Sequence, residues 1–142
     1  MKSVSGAAIS LGYSIRIYFV PHIHLETTAD LIENDEIPEL LERLRDALAG
    51  VPTIPTESLK AYHTLRNQWT VGAGHAPGFA HCTVAIMEGR ELDLQSQIAD
   101  TVFAVLTEGF ARSTEAGDAV VTLEVREIRK ATYRRHSPVN AL

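Results

Sequence analysis

At 142 residues, with 45% apolar and 22% charged side chains, the chain has the length and composition of one globular domain that buries a core without staples. A net charge of −5 argues against nucleic acid or an anionic membrane as the main partner, and no stretch approaches transmembrane length. The single cysteine, Cys82, excludes an intramolecular disulfide and fits a reducing compartment. Polar residues Ser10, Gly12, Ser14 and Arg16 interrupt any signal-peptide core near the N-terminus, so the expected location is cytoplasmic.

The first element is a strand over about 15–27, where Ile15, Ile17, Phe19, Ile23 and Leu25 alternate with more polar neighbours. Pro21 falls inside this pattern. Proline lacks an amide N–H and is normally kept to strand starts, edges or bulges, so the working strand is expected to begin there. After a polar turn, Thr28 to Glu36, a helix begins near Pro38, with Asp35, Glu36 and Glu39 at its positive end. Ile37, Leu40, Leu41, Leu44, Ala47 and Leu48 form its apolar stripe; Gly50 ends it and Pro52 prevents resumption. A second strand is predicted at about 57–66, and a Gly/Pro-rich loop from Val71 to Gly78 closes the first half.

The second half repeats this plan. Phe79 to Met87 reads as a strand, Glu88-Gly89-Arg90 as a turn, and about 92–112 as a long helix with Leu94, Ile98, Val102, Val105, Leu106 and Phe110 on one stripe. Gly117 breaks the chain before a fourth strand, Ala119 to Ile128, with Val121, Leu123 and Val125 on one face; the tail from Tyr133 to Pro138 is basic and irregular. The predicted fold is therefore α/β: tandem β-α-β units, each a crossover with parallel strands, forming a four-stranded mixed sheet with two helices on one face. The third strand reads as apolar on both sides, with Cys82, Val84 and Ile86 on one and Phe79, Ala85 and Met87 on the other. Self-association is the expected cover for the second side.

From Pro21 onward the chain resembles the 5-carboxymethyl-2-hydroxymuconate isomerases of the tautomerase superfamily. The likeness rests on Pro21-His22 opening the first strand, Ile37-Pro38 at the helix start, Leu59-Lys60 in the second strand and Trp69 before the loop. Phe79-Ala80-His81-Cys82-Thr83 and Gly89-Arg90 before the long helix complete it. The resemblance implies a homotrimer of tandem β-α-β units that uses an amino-terminal proline as base. It also implies a cofactor-free isomerase ketonising a small carboxylated dienol, such as the 5-carboxymethyl-2-hydroxymuconate of homoprotocatechuate degradation. A free α-amine titrates near neutral pH, at about 8, whereas the nitrogen of a peptide bond is delocalised and cannot act as a base.

Twenty residues precede Pro21, so residues 1–20 are expected to be an extension and 21–142 the tautomerase-like domain. Two routes would expose Pro21: a start codon at Val20 with the initiator methionine then removed, or removal of the segment by proteolysis. If instead it stays attached, the protein is a catalytically silent trimeric binding or structural protein with Pro21 internal. On the resemblance, Pro21 is the proton-shuttling base, and Lys60 stands where close family members tend to carry a carboxylate-binding arginine. Lysine supplies the charge but not the bidentate fork. Arg90 is the second cation for substrate carboxylates and the developing dienolate, and His22 shapes the pocket.

Other chemistries are weakly supported. His22 and His24 share a strand face, and His63, His75 and His81 could converge with them, but no metal-binding spacing accompanies them. Cys82, in an apolar run, reads as a small buried hydrophobe. Tyr62 and Trp69 read as core or interface residues. Gly72-Ala73-Gly74 opens no helix and so is a turn, which leaves no nucleotide cofactor to propose.

Overall fold

A computed structural model describes residues 21–54, 57–74 and 76–138. The elements in chain order are β1 (His22–Thr28), α1 (Ile37–Ala49), β2 (Lys60–Arg66), β3 (Gly78–Met87), α2 (Leu92–Gly109), α3 (Ala111–Glu115) and β4 (Ala119–Ile128). Short 3-10 turns occupy Ile32–Glu36 and Lys130–Thr132. The strand expected from residue 15 thus runs from His22, and positions 15–20, with the rest of the N-terminal segment, lie outside the described residues.

The sheet order is β2-β1-β3-β4. β1 pairs β2 in parallel and β3 pairs β4 in parallel, while the central β1–β3 pair is antiparallel. Each half therefore closes as the predicted crossover, and the two halves join through their first strands. Alternation along the strands gives the sheet two unlike sides. Ile23 and Leu25 of β1, and Ala80, Cys82, Val84 and Ile86 of β3, are fully buried in one cluster with Leu40, Leu44 and Leu48 of α1 and Ile98, Val102 and Leu106 of α2. Both long helices lie on this side. The α1 stripe is the one its 3.6-residue spacing predicts, with Pro38 in the first turn.

Three local features depart from the sequence expectations. α2 ends at Gly109 and a separate short helix follows Phe110; Gly109 is where α2 comes closest to α1, since a Cβ there would lie 2.8 Å from Leu40 Cδ1. Phe110 is still fully buried. The second strand begins at Lys60, and Ser58 and Leu59 are buried ahead of it. The turn expected to be merely polar contains a buried carboxylate, Glu33, that accepts hydrogen bonds from Ser113 N (3.0 Å) and Ser113 Oγ (2.5 Å). That residue ties the first crossover to α3 across the chain.

Candidate active site

β1 and β2 begin, and β3 finishes, at the same end of the sheet, and every residue singled out for chemistry lies there. The buried Pro21 directly precedes β1, and its carbonyl accepts the Lys60 N–H at 3.2 Å. Pro21 stands one residue ahead of His22, whose pair with Ala85 is the first of the β1–β3 register. By strand alternation it shares the helix-covered side with Ile23 and Leu25, whereas His22 belongs to the open side. His22 is in register with Lys60 on β2. Burial, and secondarily the Lys60 charge, hold the His22 imidazole below its usual pKa.

Lys60 is exposed at the mouth of this end. Arg90, three residues past Met87, is not the solvated helix-start charge that its position in the turn allows. It is 8% exposed and donates to Met87 O at 3.3 Å and Thr53 O at 3.2 Å. Thr53 has a φ of 68°, an unusual conformation for a β-branched residue, in the segment between α1 and β2. Arg90 thus joins the first crossover to the end of β3.

The open side of the sheet carries a hydrogen-bonded polar array. Its successive rows are Lys60–His22–Ala85–Arg126, Tyr62–His24–Thr83–Glu124 and Thr64–Glu26–His81–Thr122. His24 stacks on Tyr62 with ring centroids 4.7 Å apart and its Nε2 lies 2.8 Å from Thr64 Oγ1. His81 bridges Thr122 Oγ1 at 2.7 Å and Glu124 Oε2 at 3.0 Å. Arg66 pairs with Glu26, its Nε donating at 2.9 Å, and this hydrogen bond holds the Glu26 carboxyl below its usual pKa. His22, His24, Glu26, Tyr62, His81 and Glu124 of this array line a shallow groove of about 260 Å³.

The array corrects two sequence expectations. The second side of β3 is not apolar: His81 and Thr83 lie between Phe79 and Ala85, paired with Thr122 and Glu124 of β4. His63 does not join His22 and His24, because it sits on the helix-covered side with its Nε2 2.7 Å from Thr27 Oγ1. Burial, and then the charge of His24, lower its pKa. Among the described residues no group of three or more His, Cys, Asp or Glu is arranged to hold a metal ion, and His75 lies outside them. Cys82 is fully buried and its thiol is pushed up to about 12, which makes it an inert core residue. The alternating polar positions of β1 and β2 signal this face in the sequence, but which strands would be neighbours, and hence the rows of four side chains across the sheet, do not appear there.

The model of the 5-carboxymethyl-2-hydroxymuconate isomerase family matches residues 21–142. The 5-carboxymethyl-2-hydroxymuconate Delta-isomerase of Escherichia coli is 23% identical over 124 residues, which cover 87% of this chain and 98% of that protein. The crystal structure of a 5-carboxymethyl-2-hydroxymuconate isomerase from Deinococcus radiodurans R1 is 27% identical with a TM-score of 0.78, over 86% of this chain and 92% of that one. A solved fused 4-OT symmetric trimer shares the fold at 19% identity and a TM-score of 0.60, over 85% of this chain and 94% of that one. With the predicted tandem crossovers in place and the family match running through both of them, the chain is an isomerase by class and belongs to the 5-carboxymethyl-2-hydroxymuconate isomerase family.

Proposed function

We propose that this protein is a cofactor-free, cytoplasmic isomerase that ketonises a small carboxylated dienol, 5-carboxymethyl-2-hydroxymuconate, in homoprotocatechuate breakdown. Pro21 is its mature amino terminus. The observation that carries this reading is that the family match starts at residue 21, the proline that opens β1. As a free secondary amine, Pro21 takes the hydroxyl proton of the dienol and a proton returns to carbon along the conjugated chain, leaving a ketone and the unchanged amine. An amine is uncharged as a base, so it can work in a buried position where a carboxylate would resist ionisation and desolvation.

Lys60, exposed beside Pro21, holds a substrate carboxylate; Arg90 supplies positive potential where the dienolate develops, an electrostatic role. His22 shapes the open side of the pocket. The working form is a homotrimer, a reading favoured by the trimeric assembly of the fused 4-OT structure with which the fold is shared. Its partners are the small acid and its own copies, with no role for nucleic acid or membrane, and the mature domain spans 21–142 without residues 1–20.

Intact mass of protein expressed from its native start region tests the reading. A chain beginning Pro-His-Ile-His that isomerises the dienol, with kcat reduced about 10²-fold or more in Pro21→Ala, is the expected result. A full-length chain that lacks activity would instead make it a catalytically silent trimeric binding protein with Pro21 internal. A full-length chain that retains activity would rule out the proline mechanism.

A further inference from the structure

We infer that Ser58 is a substrate-binding residue: its hydroxyl donates to the same carboxylate that Lys60 pairs with, so that two side chains present the two donors a single arginine would offer. This deepens, and rests on, the reading of Lys60 as a carboxylate ligand. The observation that carries it is an unspent hydrogen bond. Ser58 is 5% exposed, yet its Oγ has no hydrogen-bond partner among the described residues. A hydroxyl sealed from water without a partner is costly, and the large majority of buried polar side-chain atoms in native proteins have one. A ligand that accepts the bond relieves that cost.

Ser58 lies two positions ahead of Lys60, the first residue of β2. Two residues of chain span at most about 7 Å, so the serine and the root of the lysine side chain are close neighbours. The stretch that carries them is fastened on both sides. Lys60 N donates to Pro21 O at 3.2 Å, which ties it to the residue read as the base. Arg90 donates to Thr53 O at 3.2 Å and to Met87 O at 3.3 Å, which ties the crossover to the end of β3. A donor on an anchored segment is pre-organised, so little freedom is lost when it meets a ligand.

The chemistry of the carboxylate explains the need for a second donor. The group offers two oxygens, whereas an ammonium is a point charge on a flexible stem. Lys60 is exposed, so solvent weakens its pairing with an anion and nothing in that pairing fixes the plane of the carboxylate. A hydrogen bond to an ionised acceptor is about twice as strong as one between neutral groups, and a donor held in a buried position adds the missing orientation. Arg90 does not fill this role, because its guanidinium is turned onto the Met87 and Thr53 carbonyls. Glu57, next to Ser58, is exposed, where solvent and salt screen its charge. Serine and lysine together therefore recover a two-point grip that favours a carboxylate over a ligand with a single acceptor.

The test measures KM for 5-carboxymethyl-2-hydroxymuconate and the Tm of the ligand-free enzyme, purified from its native start region. Ser58→Ala is expected to raise KM roughly 10-fold or more, the loss of one hydrogen bond to a charged group, with kcat little changed. Its Tm should be unchanged or higher, since the hydroxyl has no partner to lose in the free protein. In a Lys60→Arg background the same change should raise KM by about 2-fold or less, because the guanidinium fork supplies both donors. A wild-type KM in Ser58→Ala overturns the inference and leaves Lys60 alone as the carboxylate ligand. An equal rise in both backgrounds places Ser58 on another part of the substrate and overturns the shared grip. If Lys60→Ala leaves KM unchanged, or the enzyme does not turn over the dienol, the reading beneath fails and the inference falls with it.

Discussion

The two sides of the sheet come from the same four strands, yet alternate residues give them opposite characters. On the covered side Ile23, Leu25, Cys82, Val84 and Ile86 are packed under α1 and α2 and have no exposed surface. On the open side their neighbours His22, His24, Glu26, His81 and Thr83 meet cations, carboxylates and hydroxyls from the adjoining strands. The first side draws its energy from removing apolar surface from water, about 25 cal/mol per Å². The second consists of polar pairs that gain little in solvent and act through geometry and charge. Stability and specificity are thus separated by a one-residue step along each strand.

Substitutions that test this contrast should differ by a large margin in cost. Phe110→Ala empties the largest fully buried side chain from the covered side, and a loss of about 3–5 kcal/mol in urea unfolding is expected. A loss below about 1 kcal/mol would mean that the core side is far less tightly packed than its burial indicates. Glu33→Ala, at the margin of the same core, leaves Ser113 N–H and Oγ–H without their acceptor and should cost about 2–3 kcal/mol. Glu33→Gln keeps one acceptor and should cost less, so equal losses from the two variants would assign the effect to packing.

Acid titration sharpens the comparison, because one histidine with a lowered pKa lies on each side. The His22 and His63 imidazoles are held below 6.5 chiefly by burial. Below that pH the unfolded chain binds more protons than the folded one, so their contribution to stability is complete above about 6.5 and fades as the pH falls through the lowered values. Tm should drop over that range, and His63→Gln should flatten the slope. Its failure to do so would place the titrating group among the open-side residues. The smallest effect is expected from the open side itself: Arg66→Ala removes an exposed pair with Glu26 and should cost less than about 1 kcal/mol in monomer stability. A much larger loss, dependent on protein concentration, would show that this face is buried between copies.

Much of the architecture is legible before folding. The α1 stripe from Ile37 to Leu48, the bounds of β4 and the parallel pairing within each half follow from periodicity, Pro38, Gly117 and the handed geometry of crossovers. Pro21 stands out because a proline interrupts strand alternation, and its placement at the first position before β1 agrees with that signal. The close approach of two helices at Gly109 was not legible, since it depends on Leu40 of another helix. Glu33 was hidden for the same reason: nothing near it in sequence announces that Ser113, eighty positions away, supplies its donors.

By itself the sequence determined which residues alternate, where helices start and stop, and which residue types were available for proton transfer and anion binding. These are local matters, decided by backbone geometry and by the need to bury apolar side chains. Only the tertiary structure decided that β1 and β3 lie side by side, that His63 parts company with His22 and His24, and that Arg90 turns inward onto Met87 and Thr53. Each of these depends on strand register and on contacts between segments far apart in the chain. A residue's neighbours across a sheet are set by the packing of the whole molecule, and a one-residue shift would exchange every one of them.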